Sequence, residues 1–80
     1  MEEIRVTEPG QKVRLLRLAL GISLQELARK AGIGAIHLCR IEKLQRRIGE
    51  DALTGLCREL QLDADQILNH DLVFRFEEET

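Results

Sequence analysis

The side chains here that could hold or transfer anything fall into two unequal sets. The small one is His37, His70, Cys39 and Cys57. These four make no CxxC and no spaced His/Cys pattern of the kind that binds zinc. No glycine-rich phosphate loop and no Ser/His/Asp array accompanies them. The expected outcome is a protein with no catalytic residues, no metal and no cofactor, not an enzyme. Cys57 falls on an apolar helical stripe and reads as core. Cys39 precedes Arg40, whose charge would lower a thiol pKa, so a redox-sensing role stays open beside a plain surface role.

The large set is the twelve Lys and Arg, and its chemistry is anion binding. Nine of them (Lys12, Arg14, Arg17, Arg29, Lys30, Arg40, Lys43, Arg46 and Arg47) lie between Gly10 and Arg47 with only Glu26 and Glu42, a local net charge of +7. The flanking segments carry −2 over residues 1–9 and −7 over residues 48–80, which brings the whole chain to −2. A basic block between acidic ones can give one face that attracts phosphates on a molecule that is acidic overall. Solvated helix faces would leave the same count.

The basic block must be carried on helices. Val13, Leu16 and Leu20 recur at helical spacing after Pro9 and Gly10, with Leu15 and Ala19 widening the stripe. Gly21 suits a left-handed helix stop. Ser23 with Glu26 three residues on predicts a capping box for a second helix, anchored by Leu27. Gly32 ends it. A third helix is predicted over about 34–44, with Leu38 and Ile41 inward. A fourth runs through "GEDALTGLCRELQL", with Leu53, Leu56, Cys57 and Leu60 on one face and Glu50 and Asp51 favouring its N-terminus. "DADQIL" makes a short fifth behind Asp63 as N-cap. Ile4 and Val6 alternate with polar residues at one end of the chain. Leu72, Phe74 and Phe76 alternate with Val73, Arg75 and Glu77 at the other. Both stretches have strand periodicity.

Ser23, Leu27, Ala28, Gly32, Ile33, Leu38, Ile41 and Glu42 stand at the spacing of "S…LA…G(V/I)S…I..(I/L)E". Leu53, Leu56, Leu60, Leu62 and Asp65 fit "L..L...L.(V/I)..D". In this register, roughly from Gly10 to Leu68, the chain resembles the Cro/phage-repressor-like (XRE-type) helix-turn-helix family. The resemblance implies an all-α fold: a five-helix helix-turn-helix domain of the lambda-repressor-like type, here with short N- and C-terminal β-strands forming an arm. The expected divisions are a strand or arm over 1–9, the helix-turn-helix domain over 10–69, and a C-terminal strand with an acidic tail over 70–80.

The same resemblance implies site residues. Ala35, Ile36, His37 and Arg40 match the positions that read base edges. Arg is suited to guanine, while Ala35 and Ile36 can touch only a thymine methyl. His37 is either a reader or an exposed helix residue with no role. Arg14, Gln25, Lys43, Arg46 and Arg47 match phosphate contacts, which position a domain without specifying sequence. Arg17 and Glu42 match a structural pair between the first and third helices. Three positions depart from the pattern. Gly34 stands where a Ser or Thr cap is usual, Leu24 where a Gln is usual, and Leu44 where a Gly commonly ends the helix.

The function expected is duplex-DNA-binding transcriptional regulation, weakly or fully sequence-specific, with the third helix in the major groove. The alternative is a protein-interaction module on the same fold, antirepressor- or antitoxin-like, using an apolar Leu24/Ala35/Ile36 surface. Ile4, Val6, Leu72, Phe74 and Phe76 are expected to form a dimer arm, paired within one chain or across a two-fold axis. Folding of the Phe side chains back onto their own helices is the other possibility. The expected partners are duplex DNA and a second copy, with another protein as a possible third and no membrane. The N-terminus has neither the basic nor the apolar region of a secretory signal, so the expected compartment is the cytoplasm.

Overall fold

The computed structural model describes residues 2–76. The acidic tail expected over the last four residues and the Phe76 side chain lie outside what it describes. Strand β1 (Glu2–Val6) leads into helices α1 (Pro9–Ala19), α2 (Leu24–Ala31), α3 (Ala35–Glu42), α4 (Glu50–Leu60) and α5 (Ala64–Leu68), and strand β2 (Leu72–Phe76) closes the order. Helix α3 is shorter at both ends than the sequence suggested. It starts after Gly34 and stops before a left-handed Leu44.

Four of the five helices end in one way, and that ending sets the turns. A residue with positive φ follows each of α1 to α4: Gly21 (70°), Gly32 (76°), Leu44 (61°) and Gln61 (57°). The next amide then donates back across the last turn: Ile22 to the Arg17 carbonyl, Ile33 to Ala28, Gln45 to Arg40 and Leu62 to Cys57, at 2.9–3.1 Å. Such a bond satisfies a carbonyl that the helix leaves orphaned, and an apolar residue at that point packs back on the helix. Ile22, Ile33 and Leu62 do so, each half-buried against the core. Gly32 thus makes the turn between α2 and α3. Leu44 does the same job with a side chain, at a steric cost of about 1–2 kcal/mol.

Helix starts are less uniform. Ser23 Oγ accepts from the Glu26 amide at 3.1 Å. The reciprocal half of the expected capping box is missing, because the Glu26 carboxylate turns to Lys30 at 3.3 Å instead. Gly34 and Gly49 offer no side-chain cap to α3 and α4. Asp63 opens α5, and its amide donates to Gln66 Oε1 at 2.9 Å.

The core is one cluster of Val13, Leu27, Ala28, Ala31, Leu38, Leu56 and Leu60, drawn from α1 to α4. Two glycines let backbones approach closely. A Cβ on Gly10 would collide with the Ile41 carbonyl, and one on Gly55 with the Ala31 carbonyl. Gly10 therefore brings α1 against α3, and Gly55 brings α4 against the end of α2. Cys57 on α4 is half-buried; burial first, and then the Asp63 charge, pushes its thiol pKa up, away from reactivity. In the first turn of α5 the Asp65 carboxyl is held below its ordinary range by hydrogen bonds from Asn69 and His70, at 2.7 Å each.

The two strands pair with each other, antiparallel and within one chain, in the register Ile4↔Phe74 and Val6↔Leu72. Those pairs share one face of the ribbon, and Glu3↔Arg75 and Arg5↔Val73 share the other. The polar face is closed by ion pairs, Arg75–Glu3 at 3.1 Å and Arg5–Asp71 at 3.5 Å. Val6, expected in a dimer arm, is only 3% exposed within its own chain, so it serves the ribbon's attachment instead. Leu72 and Phe74 are half-buried, and Ile4 remains exposed.

Candidate nucleic-acid interface

Six of the twelve cations are committed inside the molecule. Lys12 is buried, and its Nζ donates to the Ile67 carbonyl at 2.7 Å, at the last turn of α5. An ammonium group at the negative end of a helix both caps a carbonyl and complements the macrodipole. Arg17 is the second. Its Nε and Nη2 donate to the two Glu42 carboxylate oxygens at 2.9 Å, and its Nη1 to the Ile22 carbonyl at 3.0 Å. The side chains are 11% and 4% exposed, so this fork ties α1, the following turn and α3 together out of water. The Glu42 hydrogen bonds raise the Arg17 pKa above its ordinary value. Lys30 pairs with Glu26. Arg58 lies by Glu59 and donates to the Lys30 carbonyl at 2.8 Å, in the last turn of α2. Arg5 and Arg75 belong to the ribbon.

The other six are Arg14, Arg29, Arg40, Lys43, Arg46 and Arg47. All are exposed, and among the described residues none has a carboxylate within 4.0 Å. They are spread over α1, α2, α3 and the turn after α3, and none lies in α4, α5 or the ribbon. The basic block of the sequence thus shrinks to six available charges, with Lys12, Arg17 and Lys30 removed. The expected phosphate set Arg14, Lys43, Arg46 and Arg47 lies within the six, and Gln25 is exposed on α2. Arg29, one turn after Gln25 on the same helix, is likewise exposed and without an acidic partner among the described residues.

The first turn of α3 differs from expectation. Ala35 is half-buried and packs against the core, as does Leu24 on α2. His37 is half-buried as well. Its Nε2 is out of solvent without a hydrogen-bond partner, in a cleft shared with Gly34, Gly49, Glu50 and Asp51. The structure thus takes this ring nitrogen out of solvent and sets the Ala35 methyl partly against the core. The apolar Leu24/Ala35/Ile36 surface is likewise reduced to Ile36, which is 71% exposed. Arg40, four residues on, shares its face of α3. Cys39 between them is half-buried.

Among the described residues no His/Cys/Asp/Glu cluster could hold a metal, and no helix is long and apolar enough to cross a membrane. A helix-turn-helix family model matches residues 13–67. No curated protein sequence matches the chain. Among solved structures, the fold is similar to the P22 c2 repressor in complex with a synthetic operator, with a TM-score of 0.74 and 24% identity over 79% of this chain and 96% of that one. It is similar to the restriction-modification controller protein C.AhdI from Aeromonas hydrophila, with a TM-score of 0.71 and 26% identity over 78% and 94% of the two chains. It is also similar to SinR, a master regulator for biofilm formation, in complex with DNA; there the TM-score is 0.68 and the identity 32% over 74% and 95%.

Proposed function

The chain belongs to the Cro/phage-repressor-like helix-turn-helix family of DNA-binding transcription regulators, which are not enzymes, and on that premise we propose that it binds duplex DNA through the face that carries its six unpaired cations. In this reading α3 enters the major groove with Ile36 and Arg40 toward the base edges. Arg14, Gln25, Arg29, Lys43, Arg46 and Arg47 hold the phosphates on either side. The observation that carries it is the division of charge. Among the described residues, the six cations outside this set each have a partner in their own chain, and the six within it are exposed with no carboxylate within reach. Leaving like charges together costs a folded protein stability unless an anion is to come. The SinR complex with DNA, at 32% identity, supports the same direction.

Two base-facing side chains make a thin code. We expect broad affinity for duplex DNA with a modest sequence preference, helped by DNA shape. The protein-module alternative loses its surface, since Leu24 and Ala35 are on the core.

The test is titration of a labelled duplex of arbitrary sequence at low salt. The double change Arg46→Ala, Arg47→Ala weakens binding by the same factor on every sequence. Absence of binding by the unaltered chain at high protein concentration would overturn the proposal.

A dimer is the second part of it. Ile4 and Phe74 put apolar surface on a ribbon of only two strands, and such a ribbon is marginal alone in water. We expect two copies to cover it and to present two reading helices about one helical turn of DNA apart. Sedimentation of the full chain against one ending at Asp71 decides this: the full chain runs as a dimer and the shortened chain as a monomer. Two monomers at tens of micromolar would contradict it.

A further inference from the structure

The turn after α3 holds a leucine in a strained conformation. Leu44 has a φ of 61°, where glycine would be free of strain, and it is 47% exposed. The turn needs only the backbone angle, so the side chain serves something else. Backbone strain that the packing does not use is a pointer to function. The Leu44 side chain lies across the start of α1: a Cβ added to Gly10 would meet its Cδ2 at 3.0 Å. There it forms one wall of a cleft of about 440 Å³. Leu68, at the end of α5 and 45% exposed, lines the same cleft, as do the half-buried Pro9 and Ile48. Leucines exposed singly need no account. These two share one concavity, of a size within the roughly 300–1,000 Å³ of small-molecule sites.

The charge on the rim names the class of ligand. Arg46 and Arg47 line the cleft, both exposed, and neither has a carboxylate within 4.0 Å among the described residues. Glu8 lines it too but forms no ion pair with them. The cleft therefore has an apolar floor and a rim with more positive than negative charge. A DNA phosphate suits the arginines but brings nothing apolar to Leu44, Ile48 and Leu68. A neutral apolar molecule covers the floor and leaves the arginines unused. A compound with a hydrocarbon or aromatic body and one carboxylate or sulfonate satisfies both.

We infer that this cleft binds a small amphipathic anion, its apolar body on Leu44, Ile48 and Leu68 and its charged head on Arg46 and Arg47. The site stands on its own observations. Its consequence rests on the DNA-binding reading above: the same two arginines hold phosphates there, so an occupied cleft weakens DNA binding. The coupling is reciprocal, and duplex DNA lowers the affinity for the anion by the same factor.

The fluorescent probe anilinonaphthalene sulfonate tests the site in the full chain, with decanoate below its micellar concentration as competitor. The probe should bind saturably, at one site per chain, and decanoate should displace it. Decanol, which lacks the charge, should displace it severalfold more weakly, and in the Arg46→Ala, Arg47→Ala chain that difference should vanish. Leu44→Gly should weaken the probe about tenfold, the loss of one leucine-sized contact. Its melting temperature should be retained, since glycine suits the left-handed backbone. No saturable binding, or binding that Leu44→Gly leaves unchanged, would overturn the site. A lower sedimentation mass for Leu44→Gly would give the cleft to a second copy and overturn it likewise. Saturating decanoate should weaken duplex binding by the unaltered chain and spare that of Leu44→Gly. Duplex affinity unmoved by bound decanoate would overturn the consequence. Probe binding as expected in a chain that binds no DNA would uphold the site while the DNA-binding reading falls.

Discussion

The ribbon and the α2–α3 face use the same kind of side chain in opposite ways. In the ribbon, Arg75 faces Glu3 and Arg5 faces Asp71, so each cation is neutralised by its own chain. On the α2–α3 face, Arg29, Arg40, Lys43, Arg46 and Arg47 have no acid within reach among the described residues. The ribbon pairs are 44–68% exposed and stabilise little, by about 0–1 kcal/mol. The unpaired face carries a repulsive cost of its own. Paired charge here serves structure, and unpaired charge is kept for a partner. Arg17 shows how sharp the distinction is. It stands in the same basic block as Arg14 yet spends its donors on Glu42 and Ile22.

The largest effect should come from breaking the buried pair. Glu42→Ala leaves the Arg17 guanidinium enclosed without its carboxylate and should cost about 3–5 kcal/mol in urea unfolding. That is enough to unfold much of an 80-residue domain. Glu3→Ala in the ribbon should cost under about 1 kcal/mol. Similar losses at the two sites would erase the contrast between them.

Next in size is Arg40. Arg40→Ala should lower affinity for a preferred duplex by about 1–3 kcal/mol and for random duplex by far less. Equal losses in the two titrations would make Arg40 a further phosphate contact beside Gln25 and the other cations and remove the guanine from the code.

Much of this was legible in the sequence, for local reasons. Ser23, Gly21 and Gly32 mark helix ends through the chemistry of one or two peptide groups, and the Leu38–Ile41 spacing follows from helical period. The ribbon showed in the alternation of Leu72 and Phe74. Beyond the Arg17–Glu42 pair that the resemblance implied, what could not be read was which charges are spent. Lys12 looks like any lysine on an amphipathic helix; its partner is a carbonyl 55 residues away, supplied only when α5 docks. Ala35 and His37 likewise depend on the rotation of α3 against the core and α4, a tertiary quantity that no spacing rule encodes. The left-handed Leu44 was visible only as a missing glycine.

The smallest effect sharpens the comparison at the start of α3. Gly34 has extended backbone and no cap hydrogen bond, and the space where a side chain would begin is open. Gly34→Ser should raise stability by a few tenths of a kcal/mol in thermal unfolding by capping α3. It should also tighten DNA binding slightly if its hydroxyl meets a phosphate. A loss of stability would mean that Gly34 serves the turn in some other way.

The central claim is that unpaired cations, and not cations in general, make the interface. The salt dependence of duplex binding tests it most directly. Six available charges set an upper limit near −5 for the slope of log affinity against log salt per chain, at about −0.9 for each phosphate neutralised. The predicted slope lies between about −3 and −5. Removing Arg47 should flatten it by about 0.9, and removing Arg58, whose guanidinium is held by the Lys30 carbonyl, should leave it unchanged. A slope that falls as much for Arg58→Ala as for Arg47→Ala, or a slope near zero, would contradict the account.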